Sequence, residues 1–565
     1  MEVHLKRRFL AAFCATAALC PAARAQQADL ILINGRVYTA DAAQPQAQAV
    51  AVRGDRIVFV GSNQEALSLR GNGTRVIDAS GKMVMPGMSD SHGHLTGLGS
   101  ALRTVDLVGT RSYDEVIERV RRRAVQLPAG AWVIGRGWDQ NDWPDTRFPT
   151  HQRLSAAVPA HPVVLTRIDG HALFANERAM QQAGIAQSTA DPAGGRILRD
   201  AGGAATGIFI DNAMALVRRA VPPETREETR EGIRLAMREL NRLGLTSIHD
   251  AGVGCNTIRL YEDMARADEL TARNYVMVAG RDSACLDQML KAGPRDNVDG
   301  RHLLAVRAIK LSADGALGSR GAKLIEPYTD EPGHTGLELI PPQLIQDVAV
   351  RALRGGFQLN VHAIGDGANR SVLDAFQNAL RGVPKADHRF RVEHAQILHA
   401  SEIPRFAELG VLPSMQAVHQ TSDMYWAESR LGWTRIQGAY AWRSLLDSGV
   451  IIPGGSDFPV ESADPLLSFH AAISRQDPHG WPKGGWLPQQ RMSRAEALYH
   501  LTIWPAYASF REDLVGSITK GKLADIVVLS RDIMTVPVED ILGTRVELTI
   551  VNGRIVHETA APRTP

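Results

Sequence analysis

Two hydrophobic periodicities divide this chain. Near its beginning, Asp29–Tyr38 (DLILINGRVY) and Ala49–Val60 (AVAVRGDRIVFV) alternate apolar and polar residues around Asn-Gly and Gly-Asp turns. Such alternation predicts hairpin-rich strands. Lys522–Ser530 and Leu548–His557 repeat the style near the end, the latter bent at Asn552-Gly553. These end segments form either one strand system or two separate sheets. Between them, nearly continuous apolar runs predict strands at Val163–Thr166, Thr246–His249, Val306–Leu311, Gln358–His362, Phe390–His394, Val411–Met415 and Val450–Pro453. Helical spacing falls at Ser112–Ala124, Glu224–Leu243, Pro342–Arg354, Arg370–Leu380 and Ser401–Leu409. Apolar strands alternating with helices predict an α/β fold whose parallel sheet is covered on both faces. The stretch is long enough for a (β/α)8 TIM-like barrel. Residues 105–220, rich in Gly, Pro, Trp and Arg, read as an insertion over the barrel mouth. A doubly wound open sheet is the alternative, but no Gly-x-Gly-x-x-Gly follows an early strand.

Composition adds little to the fold and more to the address. With 565 residues, 44% hydrophobic and 22% charged, the chain suits a large domain plus a smaller companion. Its formal charge of +2 is uneven: Lys6, Arg7, Arg8 and Arg24 outweigh Glu2 in residues 1–25, leaving a body of −1. A near-neutral body gives no electrostatic case for nucleic acid or an anionic membrane as partner. The basic start, the apolar run Phe9–Cys20 and Ala23-Arg24-Ala25 read as a cleavable bacterial signal peptide over residues 1–25. The run is too short for a stable membrane anchor, so the expected location is periplasmic or secreted. Cleavage leaves Cys255 and Cys285, which an oxidising compartment allows to pair but which sequence cannot bring within bridging range.

Metal-competent residues then recur at strand ends. Val84-Met85-Pro86 leads into Asp90 and His92-Gly93-His94, and residues i and i+2 of an extended segment face one side. Lys310 sits in an otherwise apolar strand, His362 and His394 each close one, and Asp457 follows the last. A single such histidine is more often a core or loop residue. Four, with a lysine and an aspartate at successive strand ends, are hard to obtain by chance. Imidazole and carboxylate suit zinc or a similar divalent ion. Burial disfavours a lysine ammonium, so Lys310 either pairs with a carboxylate such as Asp314 or, as a neutral amine, adds carbon dioxide.

The motifs make the resemblance specific. PGMSDSHGHL, GRGWDQNDWP (135–144), RIDGHALFAN (167–176), GLTSIHDAG (244–252), AIKLSADGALGSR (308–320), NVHAIGD (360–366), VEHAQ (392–396), GGSDFPV (454–460) and KGKLADIVVL (520–529) span nearly the whole chain. In that order they resemble the amidohydrolase superfamily, in the branch of YtcJ-like hydrolases and N-substituted formamide deformylases. The resemblance implies a barrel (86–508) beside a small β-sandwich built from both chain ends, 26–85 and 509–565. It implies His92, His94 and Asp457 around a first metal, Lys310 as a bridging carbamate, and His362 and His394 on a second, with one or two zinc ions. A homodimer is compatible with it.

The resemblance further implies hydrolysis of an amide-type C–N bond in a small molecule by metal-activated water, with Asp457 as general acid and base. A carbamate or ester, or a heterocycle to be deaminated, would suit the same site, and a non-catalytic binding protein is the rival outside enzymes. No Gly-x-Ser-x-Gly elbow supports a serine nucleophile. His171 is expected either to contact substrate or to cap a strand. Trp138, with Asp139 and Trp143, is expected to line the mouth or to pack the insertion. Arg320 is expected to meet an anionic group or a surface carboxylate. Glu393 should point opposite to His394 and support it, and His249-Asp250 is read as structural.

Overall fold

The computed structural model describes residues 27–559, so the signal expected at 1–25 lies outside the described residues. Eight parallel strands follow one another in chain order: β1 (Met88–Gly93), β2 (Leu245–Val253), β3 (Arg273–Ala279), β4 (Leu304–Ser312), β5 (Gln358–Ala363), β6 (Arg391–His394), β7 (Leu412–Gln416) and β8 (Gly454–Gly455). The two ends of the sheet meet. The Asp457 N–H donates to the His92 carbonyl at 2.7 Å, and the His94 N–H to the Phe458 carbonyl at 2.8 Å. The result is a nearly closed, TIM-like barrel. Gly455 is required at this seam, because a Cβ there would lie 2.7 Å from the His92 nitrogen.

Helices cover the outside. One of the two longest described, Arg226–Arg242, starts on a capping box in which Thr225 and Glu228 satisfy each other's backbone N–H groups. Its buried Ile233, Ala236, Met237 and Leu240 share one apolar core with β2 and the neighbouring helices.

Segments 105–220 carry a sheet of their own. Its six strands include Val133–Trp138, Val163–Arg167, Ala172–Ala175 and Ala205–Asp211, packed around separate apolar cores. The Val163 run is therefore a strand of this sheet, not of the barrel. Strands from the two chain ends also pair: Met83–Pro86 lies antiparallel to Ile526–Leu529, which pairs with Val546–Val551. A four-stranded sheet holding Ala28–Ile33 shares an apolar core with them, through Leu30, Val52, Val84 and Ile526.

Three strand readings change. Val84-Met85-Pro86 belongs to the sheet of the chain ends, and β1 begins only after Gly87, whose N–H donates to Asp525 at 2.9 Å. Val450–Pro453 is not a strand; two glycines after it make the pairing. β3 escapes the apolar pattern because it opens with Arg273 and Asn274, both fully buried. Arg273 donates bidentately to Asp525, at 2.6 and 2.7 Å, and so ties the barrel to the sheet of the chain ends.

Cys255 and Cys285 form a disulfide that closes a 30-residue separation between two successive barrel helices. Closing such a loop stabilises by on the order of 3 kcal/mol. Digestion without reductant should yield the two cysteine peptides linked, and reduction should lower the melting temperature. Unlinked peptides with two free thiols would contradict the pairing.

Candidate metal centre

The barrel interior is polar, and its polar groups aim the histidines. Glu393 on β6 is fully buried and accepts from His92 Nδ1 at 2.6 Å, while Arg391 on the same strand lies 2.7 Å from its other oxygen. Arg391 is held in turn by His249 Nδ1 at 3.0 Å, the Ser91 carbonyl at 2.5 Å and Ser414 at 3.0 Å. Burial raises the Glu393 pKa, but Arg391 and His92 outweigh it and hold the carboxyl near about 2. The carboxylate fixes the tautomer of His92: Nδ1 carries the proton and Nε2 is left free.

The other imidazoles are oriented similarly. His94 Nδ1 lies 3.0 Å from the Ala251 carbonyl, and His394 Nδ1 lies 2.8 Å from the Gln416 side-chain oxygen. His362 turns Nε2 to Asp314 at 3.4 Å, leaving Nδ1 as its other donor atom. Ring centroids of His92 and His394 are 4.8 Å apart, and those of His362 and His394 are 4.5 Å apart. Burial drives His92 down to about 4, and lowers His362 and His394 as well, so these rings are neutral at pH 7. Neutral imidazole is the form that binds metal.

Asp457 completes the group. Its Oδ1 is 3.1 Å from His94 Nε2 and 3.5 Å from His92 Nε2, and the donor atoms of these three residues lie within 4.8 Å of one another. Burial raises the Asp457 carboxyl, but His92, His94 and His394 outweigh burial and hold it well below the usual range. His394 (φ 75°) and Asp457 (φ 59°) both occupy the left-handed region, where a side chain is strained. Among the described residues His92 Nε2 is buried without a hydrogen-bond partner, and Asp457 Oδ1 has only the two imidazole nitrogens beside it. Orphaned acceptors of this kind, converging with neutral imidazoles, fit a divalent cation.

Lys310 points into the same space. It is buried, makes no ion pair among the described residues, and its pKa is lowered by burial against the pull of Glu393 and Asp457. Lys310, His92, His94, His362, His394 and Asp457 all line one chamber of about 520 Å³. A larger cavity of about 780 Å³ meets it at Arg136, Asp169, His171, His362, His394 and Asp457.

The structure sorts the remaining expectations. His171 reaches the cavity from the insertion: its ring is 5.3 Å from His362, and Nδ1 is 2.5 Å from Asp211. Burial would lower its pKa, but Asp211 outweighs it and lifts His171 to about 9, so the ring is a cation at neutral pH. Trp138 does not line the mouth. It is fully buried in the insertion core against Trp143 and Phe174, with its indole N–H on the Leu165 carbonyl at 3.0 Å. Arg320 also stays away, held by Asp330 at 3.0 and 3.2 Å. His249 and Asp250 serve the frame, the first on Arg391 and the second accepting from Tyr261 at 2.5 Å and from the Leu95 N–H at 2.9 Å.

Cavity residues that sequence reasoning missed include Arg136, Arg167, Arg218 and His419. Arg136 and Arg167 stand inside GRGWDQNDWP and RIDGHALFAN, so those motifs held a signal. Arg218, on the short helix Met214–Arg218, had none.

Comparison with known proteins agrees with this geometry. Residues 75–557 match the model of the amidohydrolase family. The chain is 32% identical to the amidohydrolase YtcJ of Bacillus subtilis, over 93% of this chain and 98% of that protein. It is 31% identical to an N-substituted formamide deformylase of Arthrobacter pascens, over 94% and 99%. Among solved structures, a metal-dependent hydrolase of Pyrococcus furiosus superposes with a TM-score of 0.71 at 30% identity, over 90% of this chain and all of that one. The full-length match and the His-His-Asp cluster at the barrel mouth lead to one conclusion: the chain belongs to the amidohydrolase family and is a metal-dependent hydrolase.

Proposed function

We propose that this protein is an exported hydrolase that cleaves the C–N bond of an N-substituted formamide or a closely related amide. The observation that carries this reading is Asp457, an ionised carboxylate held between His92 and His94 at the junction of the two cavities. The formamide deformylase relative supports the bond type. The Cys255–Cys285 disulfide supports export, because such bonds persist in oxidising compartments. We also read the two sheets of the chain ends, which share one apolar core, as the small β-sandwich of the family.

In this reading His92, His94 and Asp457 would hold a first divalent ion and His362 and His394 a second, with Lys310, as a carbamate, supplying oxygen ligands beside them. The neutral Lys310 amine adds to carbon dioxide, the new N–C bond forms and one proton leaves. When bound, the metal supplies a bound water of lowered pKa, ~7, and polarises the substrate carbonyl. The protein's own part is positioning and proton transfer. Glu393 and Arg391 keep His92 Nε2 aimed at the site. The Asp457 carboxylate takes the proton from the attacking water and passes it to the leaving nitrogen as the C–N bond breaks. The His171 cation, poised by Asp211, faces the same junction and can bind the substrate oxygen.

Zinc-loaded protein is expected to hydrolyse N-substituted formamides such as N-benzylformamide. Asp457→Asn should keep its metal and lose at least ~100-fold in kcat. Near-full activity of that variant would remove Asp457 from its role, and inertness of the loaded wild type toward a broad amide panel would overturn the reading. Glu393→Gln should weaken zinc affinity by ~10-fold or more, measured by competition with a chelator, because the carboxylate that orients His92 is gone. Unchanged affinity would mean that Glu393 serves only the frame.

A further inference from the structure

The two chambers that meet at Asp457 differ in charge. The larger is lined by acidic groups, among them Asp106, Asp142, Glu239, Glu461 and Asp477. The smaller has only Asp169 and Asp457 as carboxylates, and both are engaged: Asp169 by Arg167 at 2.6 Å, Asp457 by the histidines. Beside Lys310, its basic residues are Arg136, Arg218 and the His171 cation.

Two arginines of this chamber, the half-buried Arg136 and the exposed Arg218, face it without a carboxylate partner. Arg136, on the insertion strand Val133–Trp138, makes one hydrogen bond, to the Ile168 carbonyl at 2.9 Å. Arg218 makes no hydrogen bond, and neither arginine has a carboxylate within 4.0 Å among the described residues. Arg167, which lines the adjoining cavity, is by contrast paired with Asp139 and Asp169. Burial pulls Arg136 down to about 10, with Asp457 and Asp169 opposing it, so it remains a cation at neutral pH. A guanidinium held in a low-dielectric wall with free N–H donors is matched by a planar anion that accepts two hydrogen bonds. The hydroxyls of Ser100, Thr104 and Thr166 line the same chamber and can accept or donate beside it.

We propose that the smaller chamber is a carboxylate subsite, in which Arg136 and Arg218 bind an anionic group carried by the substrate while the scissile bond lies at the junction. The inference rests on the hydrolase reading above and narrows its substrate to amides bearing a carboxylate. The rest of the substrate then occupies the larger cavity, whose wall includes Trp426 and Tyr425. The insertion supplies both arginines, so substrate choice lies in that segment and the metal ligands in the barrel.

The test uses two ligands that differ by the carboxylate alone, N-formyl-L-phenylalanine and N-formylphenethylamine. Dissociation constants are measured by calorimetry on the Asp457→Asn protein, which binds without turnover, with and without Arg136→Gln or Arg218→Gln. The parent should prefer the acid, and each arginine substitution should cut that preference ~10-fold, the scale of a lost charge-assisted hydrogen bond. Arg218 is exposed to the chamber, so its variant decides the matter if Arg136→Gln fails to fold. Equal affinity for the two ligands in the parent, or a preference that survives both substitutions, would overturn the subsite. A preference for the acid in a protein that hydrolyses no formamide would leave the subsite standing and sink the hydrolase reading instead.

Discussion

The Glu393–His92 hydrogen bond is the contact on which the site depends. A carboxylate with no exposed surface is costly unless it is paired and hydrogen-bonded. Here Arg391 neutralises it and His92 uses its second oxygen, so one buried charge is stabilised and one imidazole is aimed by the same group. The consequences spread along the barrel wall. Arg391 is itself braced by β1, β2 and β7, through Ser91, His249 and Ser414. Four strands thus share one ionic framework beneath the metal site. The backbone of His92 then accepts from Asp457 across the barrel seam, so the same residue that offers Nε2 also sets the height of the Asp457 carboxylate.

Above this frame the site is completed by another part of the chain. The insertion has its own sheet and its own apolar cores, yet it sends Arg136 and His171 to the barrel mouth. The division has a physical logic. Metal ligands need the rigid register of closed β-strands, where side-chain direction is set by the pleat. Groups that read a substrate can sit on a separate body laid over the mouth. A protein built in this way can change what it binds without disturbing what activates water.

Much of this was legible in the sequence, and the exceptions have reasons. The order of apolar strands exposed the barrel, because strands buried on both faces read as continuous apolar runs. The cluster was visible because His92, His94, Lys310, His362, His394 and Asp457 interrupt or end those runs. β3 was invisible because its buried Arg273 looks like a surface residue until its partner Asp525, 252 residues away, is known. For Trp138 and Arg320, residue type and motif leave two readings open, substrate contact or a structural partner. Their actual partners, an insertion core and Asp330, are set by tertiary packing that no local pattern records. The same is true in reverse of Arg218, whose lack of a carboxylate partner among the described residues no local pattern records.

We propose that His92, His94, His362, His394 and Asp457, with Lys310 beside them, are arranged to hold two divalent ions bridged by a Lys310 carbamate. Elemental analysis of the purified protein, combined with its intact mass under native conditions, tests it most directly. The account predicts about two zinc-like ions per chain and a mass gain of one carbon dioxide, located on Lys310. A chain that takes up no divalent ion even after reloading would contradict it. One ion without the adduct would contradict the bridge and return Lys310 to the barrel wall.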